Sequence, residues 1–450
     1  MKIRKTLLFI ISVVLVFACS GCSLDFFSVE SLLSPPGQTG VYGEIQRDFK
    51  AFVNSNTLQF KTPSSGKYQT SVICTDLNSD GKDEAIVFYS DASSKEGSVR
   101  LALMEKAGKS WRVVTDIKGA GNGVWDVSFA DLNRDGIIEI FINWSIMGTD
   151  TTKILSVYEY TPKGRNGSLS ALANEYCDSY TCLDFNGDSK KDIVLVYLDD
   201  TGAVQQSYVR LFSFTDKMEV IKYSELLLDP SISYVVSITS DETHHNGEKI
   251  TRVFIDCNKN DRYVFTELVY WDKGTSSIIK AFKTPAISTI RSKGVPCRDI
   301  DGDKLIEVPA TQKLYGDENG FVLNSDDSTL NLTLVKWYDV AGDNHKSGGL
   351  TTLYEPVNNY LFKFPWGNKV TVYYDSLRKS VLFCKWNEKE NERGEELFSL
   401  SCRNESTDNE IIGKLLFSDD RIVCYYDITD EGQAFGITDA MLISYFKKIN

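Results

Sequence analysis

Four copies of one acidic pattern constrain this chain more than any other feature. They read Asp76-Leu-Asn78-Ser-Asp80-Gly81-Lys82-Asp-Glu84, Asp131-Leu-Asn133-Arg-Asp135-Gly136-Ile137-Ile-Glu139, Asp184-Phe-Asn186-Gly-Asp188-Ser189-Lys190-Lys-Asp192 and Asp299-Ile-Asp301-Gly-Asp303-Lys304-Leu305-Ile-Glu307. Their starts lie 55, 53 and 115 residues apart, so the last gap spans about two periods. Self-similarity at such a period belongs to a repeat fold whose units stack on one another, and such a fold uses this length as one body. The flanks give the unit. Behind the loops run Ala85–Tyr89, Ile140–Trp144 and Ile193–Tyr197, short β-branched and aromatic stretches that predict buried strands. Ahead of them, Val72 and Cys74, Val127 and Phe129, Tyr180 and Cys182, and Val295 and Cys297 alternate with the period of a strand. The unit is strand, acidic loop, strand, with residues left for two more strands. Four strands in about 45–55 residues make one propeller blade.

With these residues in view, the chain resembles the FG-GAP or VCBS repeats of integrin-like β-propellers. The resemblance covers the loops and their flanking strands, from Tyr68 to Val340. It implies an all-β propeller of four-stranded blades whose hairpin loops bind calcium. The literal Phe-Gly and Gly-Ala-Pro words are missing, and copies three and four carry Ser189 and Lys304 at the loop glycine.

Calcium takes 6–8 oxygen ligands at about 2.3–2.6 Å. Oxygen side chains at loop positions 1, 3 and 5, the backbone carbonyl of position 7 and an acid at position 9 would supply them. The four expected sites are therefore Asp76, Asn78, Asp80, Lys82 and Glu84; Asp131, Asn133, Asp135, Ile137 and Glu139; Asp184, Asn186, Asp188, Lys190 and Asp192; and Asp299, Asp301, Asp303, Leu305 and Glu307. An EF-hand needs a bidentate Glu at position 12. Here that position holds Val87, Ile142, Leu195 and Ala310, which excludes it. Metal-free Asx turns explain Asp76 and Asn78 but not the recurring acid at position 9.

The long gap contains two partial copies, SDETHHNGEK around Asp241 and Asp256-Cys-Asn258-Lys-Asn260 with Val264 in the last place. Neither is assigned a metal, and loss of Asp241 is expected to change almost nothing. His244 and His245 read as a solvated pair. Cys74, Cys182 and Cys297 hold the same strand position in different blades and read as buried thiols, while Cys177 and Cys182 are close enough in sequence to bridge.

The ends carry other signals. Lys2, Arg4 and Lys5 precede the apolar run Leu7–Phe17, which is too short to span a membrane and reads as a signal segment over residues 1–21. Ser20-Gly21-Cys22 resembles a bacterial lipobox, with Cys22 lipidated and Cys19 as the rival; residues 22–40 read as a spacer. Val41, Ile45, Phe49 and Phe52 fall at helical spacing and predict a helix packed on the propeller, which is assigned residues 41–349. Residues 350–450 read as a small α+β domain or as final blades, with strands at 370–374, 380–384, 415–417 and 422–426 and a helix over Thr438–Lys448.

A formal charge of −13 argues against a nucleic-acid partner, and no phosphate loop, dinucleotide glycine pattern, zinc-protease or nucleophile-elbow motif implies an organic cofactor or a known catalytic centre. The expectation is a calcium-binding propeller, lipid-anchored on the extracytoplasmic face of a bacterial membrane, that binds a protein or glycan without catalysis. The alternatives are a carboxylate-based glycan-active enzyme and a structural envelope assembly factor.

Overall fold

A strand buried on both faces needs apolar cover on each, and here neighbouring sheets supply it. The computed structural model describes residues 40–92, 98–148, 152–162, 167–200, 202, 204–245, 247–259, 263–282, 289–316, 322–324, 331–341, 344–345, 349–355, 359–404, 413–419 and 422–449. The signal segment, Cys19, Cys22 and the spacer up to residue 39 lie outside the described residues. Among the described residues six antiparallel sheets of four or more strands follow one another along the chain, with a small two-stranded ribbon, Val340–Ala341 with Asn344–His345, beside the fifth. The first pairs Val72–Thr75 and Leu58–Phe60 with Glu84–Asp91, followed by Arg100–Ala107 and Ser110–Lys118. The second runs Gly123–Ala130, Glu139–Ser145, Lys153–Thr161, Ser168–Cys177, and the third Ser179–Leu183, Asp192–Asp199, Gln206–Phe214, Val220–Leu227. The fourth comprises Ile232–His245, Glu248–Lys259, Tyr263–Asp272 and Ser277–Lys280. The fifth holds Val308–Thr311, Asn331–Tyr338, Thr351–Glu355, Tyr360–Lys363 and Phe446–Lys448. The sixth holds Val370–Asp375, Ser380–Asn387, Glu392–Asn404, Ile422–Ile428 and Lys414–Ser418.

Alternation along the second strands ties the sheets together. Ile86 and Phe88 pack with Val127, Ile140 and Ile142 of the second sheet. Phe141, on the other face of that sheet, packs with Ile193 and Leu195 of the third. Val194 and Val196 in turn meet Val253, Ile255 and Cys257 of the fourth, and Phe254 meets Val308 of the fifth. Leu334, Leu353 and Phe362 join the fifth sheet to Val372, Phe383 and Phe398 of the sixth. Each such side chain contributes about 1.5–3 kcal/mol of transfer free energy, so the seams between sheets are the core of the fold. This is an all-β, propeller-type architecture of successive blades with an N-terminal helix.

The helix, Val41–Val53, buries Ile45 and Phe49 against Ala85, Val87 and Tyr89 of the first sheet, while Val41 and Phe52 stay exposed. Asp48 anchors it by accepting Trp111 N–H at 2.8 Å. Among the described residues no buried cluster joins the first sheet to the sixth; the helix covers the face of the first sheet that the second leaves free. No described helix is long and apolar enough to cross a membrane.

Toward the C-terminus the expected strands are present, and the boundary drawn at 349/350 falls inside the fifth sheet. Thr438 caps the last helix by accepting Met441 N–H at 3.3 Å. That helix is shorter than expected: it ends at Tyr445, and Phe446–Lys448 leaves it to pair with Tyr360–Phe362. The Phe446 ring stacks on Tyr360 at 5.5 Å, which favours the extended pairing over another helical turn. Among the described residues one disulfide, Cys402–Cys424, joins residues that face each other across two strands of the sixth sheet. Cys74, Cys177, Cys182 and Cys297 are free thiols, so the Cys177–Cys182 bridge left open above does not form.

Candidate metal centres

The first three acidic loops join the first strand of a blade to its second; the fourth runs from the isolated Arg298–Glu307 bridge into Val308–Thr311, and Val295 and Cys297, expected on a strand ahead of it, lie on none. All four backbones are held by one repeated scheme. The position-1 carboxylate accepts the N–H of position 6 through Oδ2: Asp76 from Gly81 at 2.8 Å, Asp131 from Gly136 at 3.1 Å, Asp184 from Ser189 at 2.9 Å, Asp299 from Lys304 at 3.0 Å. The position-5 carboxylate accepts the N–H of position 7: Asp80 from Lys82, Asp135 from Ile137, Asp188 from Lys190 and Asp303 from Leu305, all at 2.8–2.9 Å. The position-3 oxygen of Asn78, Asn133, Asn186 and Asp301 accepts the N–H of position 5 at 2.9–3.2 Å. Each of these oxygens keeps a second lone pair for another partner.

Such a tight ring needs left-handed backbone at two places. Position 4 is Ser79, Arg134, Gly187 and Gly302, and position 6 is Gly81, Gly136, Ser189 and Lys304; all eight have φ between +57° and +95°. Every loop thus spends one glycine on the pair. Copies one and two place it at position 6, copies three and four at position 4. Ser189 and Lys304 are therefore no loss of the pattern but a transfer of its glycine.

Position 9 is the acid that turn geometry left unexplained. Glu84, Glu139, Asp192 and Glu307 are all buried, at 0–4 % exposure. Each accepts the N–H of position 2: Leu77 at 2.9 Å, Leu132 at 2.8 Å, Phe185 at 2.9 Å and Ile300 at 2.7 Å. Glu84 also accepts Asn78 Nδ2 at 3.4 Å, and Asp192 also accepts Asn186 N–H at 3.0 Å and its Nδ2 at 3.2 Å, but two of the four acids stay short of partners. Oε1 of Glu139 and Oε1 of Glu307 are buried with no hydrogen-bond partner. Burial first, and then the neighbouring loop acids, push Glu84 and Glu139 up to about 7 and Glu307 up to about 8. Asp192 is raised to about 6, chiefly by burial. In the fourth loop, carboxylate oxygens of Asp299, Asp301 and Glu307 lie within 4.8 Å of one another. An all-oxygen, acid-rich donor set with buried, unpartnered carboxylate oxygens fits a hard divalent cation.

The loops are also linked to each other. Ile138 N–H, at position 8 of the second loop, donates to the position-2 carbonyl of Leu77 in the first at 2.8 Å. Lys191 N–H of the third loop donates likewise to Leu132 of the second at 3.0 Å. The fourth blade has no such loop. Its first hairpin is two long strands turning near Gly247, so Asp241 lies in a strand, not in a loop. There the Asp241 carboxylate takes the role of the missing carbonyl and accepts Ile306 N–H, at position 8 of the fourth loop, at 2.8 Å. Asp241 is paired with the buried Arg252, which also donates to the Val340 carbonyl. The second partial copy is likewise in a strand: Asp256 pairs with the fully buried Arg291 at 2.6 Å. Loop spacing could not reveal Asp241; the Asn246-Gly247 turn signal could have, because a hairpin centred there sets Asp241 opposite Arg252.

Residues 76–142 match the FG-GAP-like repeat. That stretch runs from the first loop through the second and into the strand behind it. No curated protein matches the chain. Among solved structures it is similar to a Lactobacillus plantarum protein (TM-score 0.28, 9% identity, covering 73% of this chain and 84% of that one). It is also similar to the rhamnogalacturonan lyase PL11 of Bacillus licheniformis (TM-score 0.30, 10% identity, 74% and 90% covered). A third is the periplasmic gluconolactonase of Pseudomonas aeruginosa (TM-score 0.26, 10% identity, 75% and 88% covered).

Proposed function

We propose that this chain is a calcium-stiffened propeller, lipid-anchored through Cys22 on the extracytoplasmic face of a bacterial membrane, and that it works by binding a partner rather than by catalysis. Calcium would be held at the four loops by the residues at positions 1, 3, 5 and 9 and the carbonyl at position 7, where it offsets the repulsion of three or four acids. The observation that carries this reading is the buried position-9 acid, above all the partnerless oxygens of Glu139 and Glu307. Extracellular calcium modules work at about 0.1–1 mM affinity, which suits that address. The non-catalytic part is supported by buried acids outside the loops that serve the frame: Asp241 pairs with Arg252, Asp256 with Arg291 and Glu267 with Lys280.

Calcium titration of the metal-depleted protein tests the reading. A site filled at a hundredfold excess over Kd stabilises the fold by about 2.7 kcal/mol. Millimolar calcium should raise the melting temperature, magnesium should do so poorly, and Asp135→Ala should remove one site's share. Equal melting in calcium and in chelator would refute it.

A further inference from the structure

Beside the third loop, whose Lys191 reaches its wall, the first strands of the second and third blades line an open cavity of about 440 Å³. That lies within the ~300–1,000 Å³ range of small-ligand sites. A β-bulge between Val124 and Asp126 breaks the register of the strand at Trp125, and bulges of this kind re-aim a side chain. The bulge is held from outside: Ser64 N–H donates to the Val124 carbonyl at 3.0 Å and Ser65 N–H to the Trp125 carbonyl at 2.7 Å. Gly66, at φ +78°, lets that segment run close, since a Cβ there would lie 3.1 Å from the Cβ of Asp126. The result is a tryptophan 37% exposed at the cavity wall.

The polar groups around it are fixed in advance. Asp126 accepts Asn143 Nδ2 at 3.0 Å and the Tyr180 hydroxyl at 3.4 Å. Tyr180 is held by stacking on Phe141 at 5.9 Å and by Ser128 Oγ at 2.7 Å. Asp178 accepts Leu198 N–H at 2.8 Å and Thr152 Oγ1 at 3.1 Å. Burial raises both carboxyls above their ordinary range, and the Lys153 ammonium draws both back down. That same ammonium, almost wholly buried, sits 4.6 Å from the centre of the Trp125 ring.

Charge then selects the ligand class. A cationic ligand would seek the aromatic face and the two acids, but Lys153 already serves both. An anion would find the exposed Lys191 at the rim but would also meet two half-desolvated carboxylates. A neutral ligand with many hydroxyls meets neither obstacle: it donates to carboxylate oxygens, accepts from amide and hydroxyl groups, and lays an apolar face on indole. We propose that this cavity binds one neutral sugar unit of a glycan, with Trp125 as the stacking platform and Asp126, Asn143, Asp178 and Tyr180 as the polar contacts. The proposal rests on the binding reading above and names its ligand class.

Saturation-transfer NMR on the calcium-loaded chain tests it, with methyl glycosides of glucose, galactose, mannose, rhamnose and N-acetylglucosamine as neutral probes. Butylamine serves as the cationic probe and glucuronate as the anionic one. At least one neutral glycoside should bind, and Trp125→Ala should weaken it by about tenfold or more. The calcium-induced melting shift, read on the same samples, should be unchanged in that variant. Tyr180→Phe, which removes one hydroxyl and keeps the stack on Phe141, should weaken binding less. Preferential binding of butylamine or glucuronate overturns the proposal, as does no binding of any neutral probe at millimolar concentration, or binding that Trp125→Ala leaves intact. Loss of the calcium shift with sugar binding retained would sink the metal reading and not this one.

Discussion

Asp241→Ala is the substitution that most sharply separates the structure from the pattern of loops. By spacing alone it sits in a degenerate interval, where its loss should change almost nothing. In the fold its carboxylate is 1% exposed and lies against an Arg252 side chain that is 5% exposed. It accepts Arg252 Nε at 2.7 Å and Ile306 N–H at 2.8 Å. Truncation leaves a buried guanidinium with the Val340 carbonyl but no counter-charge, and strips Ile306 N–H of its acceptor. Breaking one side of a buried pair costs about 3–5 kcal/mol, and an orphaned buried N–H about 1–3. These losses share one carboxylate and are not additive, so about 4 kcal/mol is expected, a large part of the ~5–15 kcal/mol typical of a folded protein. Urea unfolding followed by tryptophan fluorescence, in 1 mM calcium and in chelator, reads it. Arg252→Met in the Asp241→Ala background should recover much of the loss, because the uncompensated charge goes with it. Because Ile306 adjoins Glu307, the single variant should also weaken calcium at the fourth loop. An Asp241→Ala protein within about 1 kcal/mol of the parent, or a double variant less stable than the single, would refute the account.

Three other expectations are simpler. In the calcium-depleted protein, Glu84, Glu139 and Glu307 have folded values of about 7, 7 and 8 against an ordinary 4.5. The stability from their protons is therefore full below about 4.5 and lost as pH rises toward 8, so depleted protein should melt lower at pH 8 than at pH 5, while calcium-loaded protein should not; the opposite order in the depleted sample would count against the burial of these acids. Lys304→Gly, at φ +75°, should stabilise by about 0.5–1 kcal/mol in chemical denaturation, since the left-handed backbone penalty of a residue with a Cβ disappears. Cys22→Ala should leave an uncleaved precursor or release the chain into the medium, and continued lipid labelling in that variant with none in Cys19→Ala would show that Cys19 is the anchor.

What was legible in the sequence is what repeats. The loops, the strands behind them, the strands ahead of the first three, the all-β class and the leading helix follow from local pattern, because strand period and loop chemistry act within a dozen residues; ahead of the fourth loop Val295 and Cys297 alternate like a strand but lie on none. The terminal helix was read one turn too long because its last three residues pair with a strand some 86 positions earlier, Phe446 with Phe362 and Lys448 with Tyr360, a choice no local propensity records. The Cys402–Cys424 bridge escaped for the same reason: it depends on register across two strands. The cavity at Trp125 depends on a bulge and on the approach of Ser64 and Ser65 from the connection between Leu58–Phe60 and Val72–Thr75, and neither has a signature in single residues. Ser189 and Lys304 looked like departures only while one loop position was watched; their glycine partners at Gly187 and Gly302 were in plain sight.

The links between loops explain why a stack of sheets would place cations where it does. Position 9 would ligate the ion and also accepts position 2 N–H; the position-2 carbonyl accepts position 8 N–H of the next loop; and position 8 precedes the next position 9. From Leu77 to Ile138, Glu139, Leu132, Lys191 and Asp192, each buried acid is thus one peptide from a bond that fixes the blade before it. A cation that settles the acid would therefore help settle the seam. The fourth blade, with no loop to offer a carbonyl, keeps the link with a side chain, and a side-chain acceptor on a strand must itself be held, hence the buried Arg252. Asp241 itself sits in no metal loop and is held by Arg252 whether or not calcium is bound, so its loss should be felt in calcium and in chelator alike.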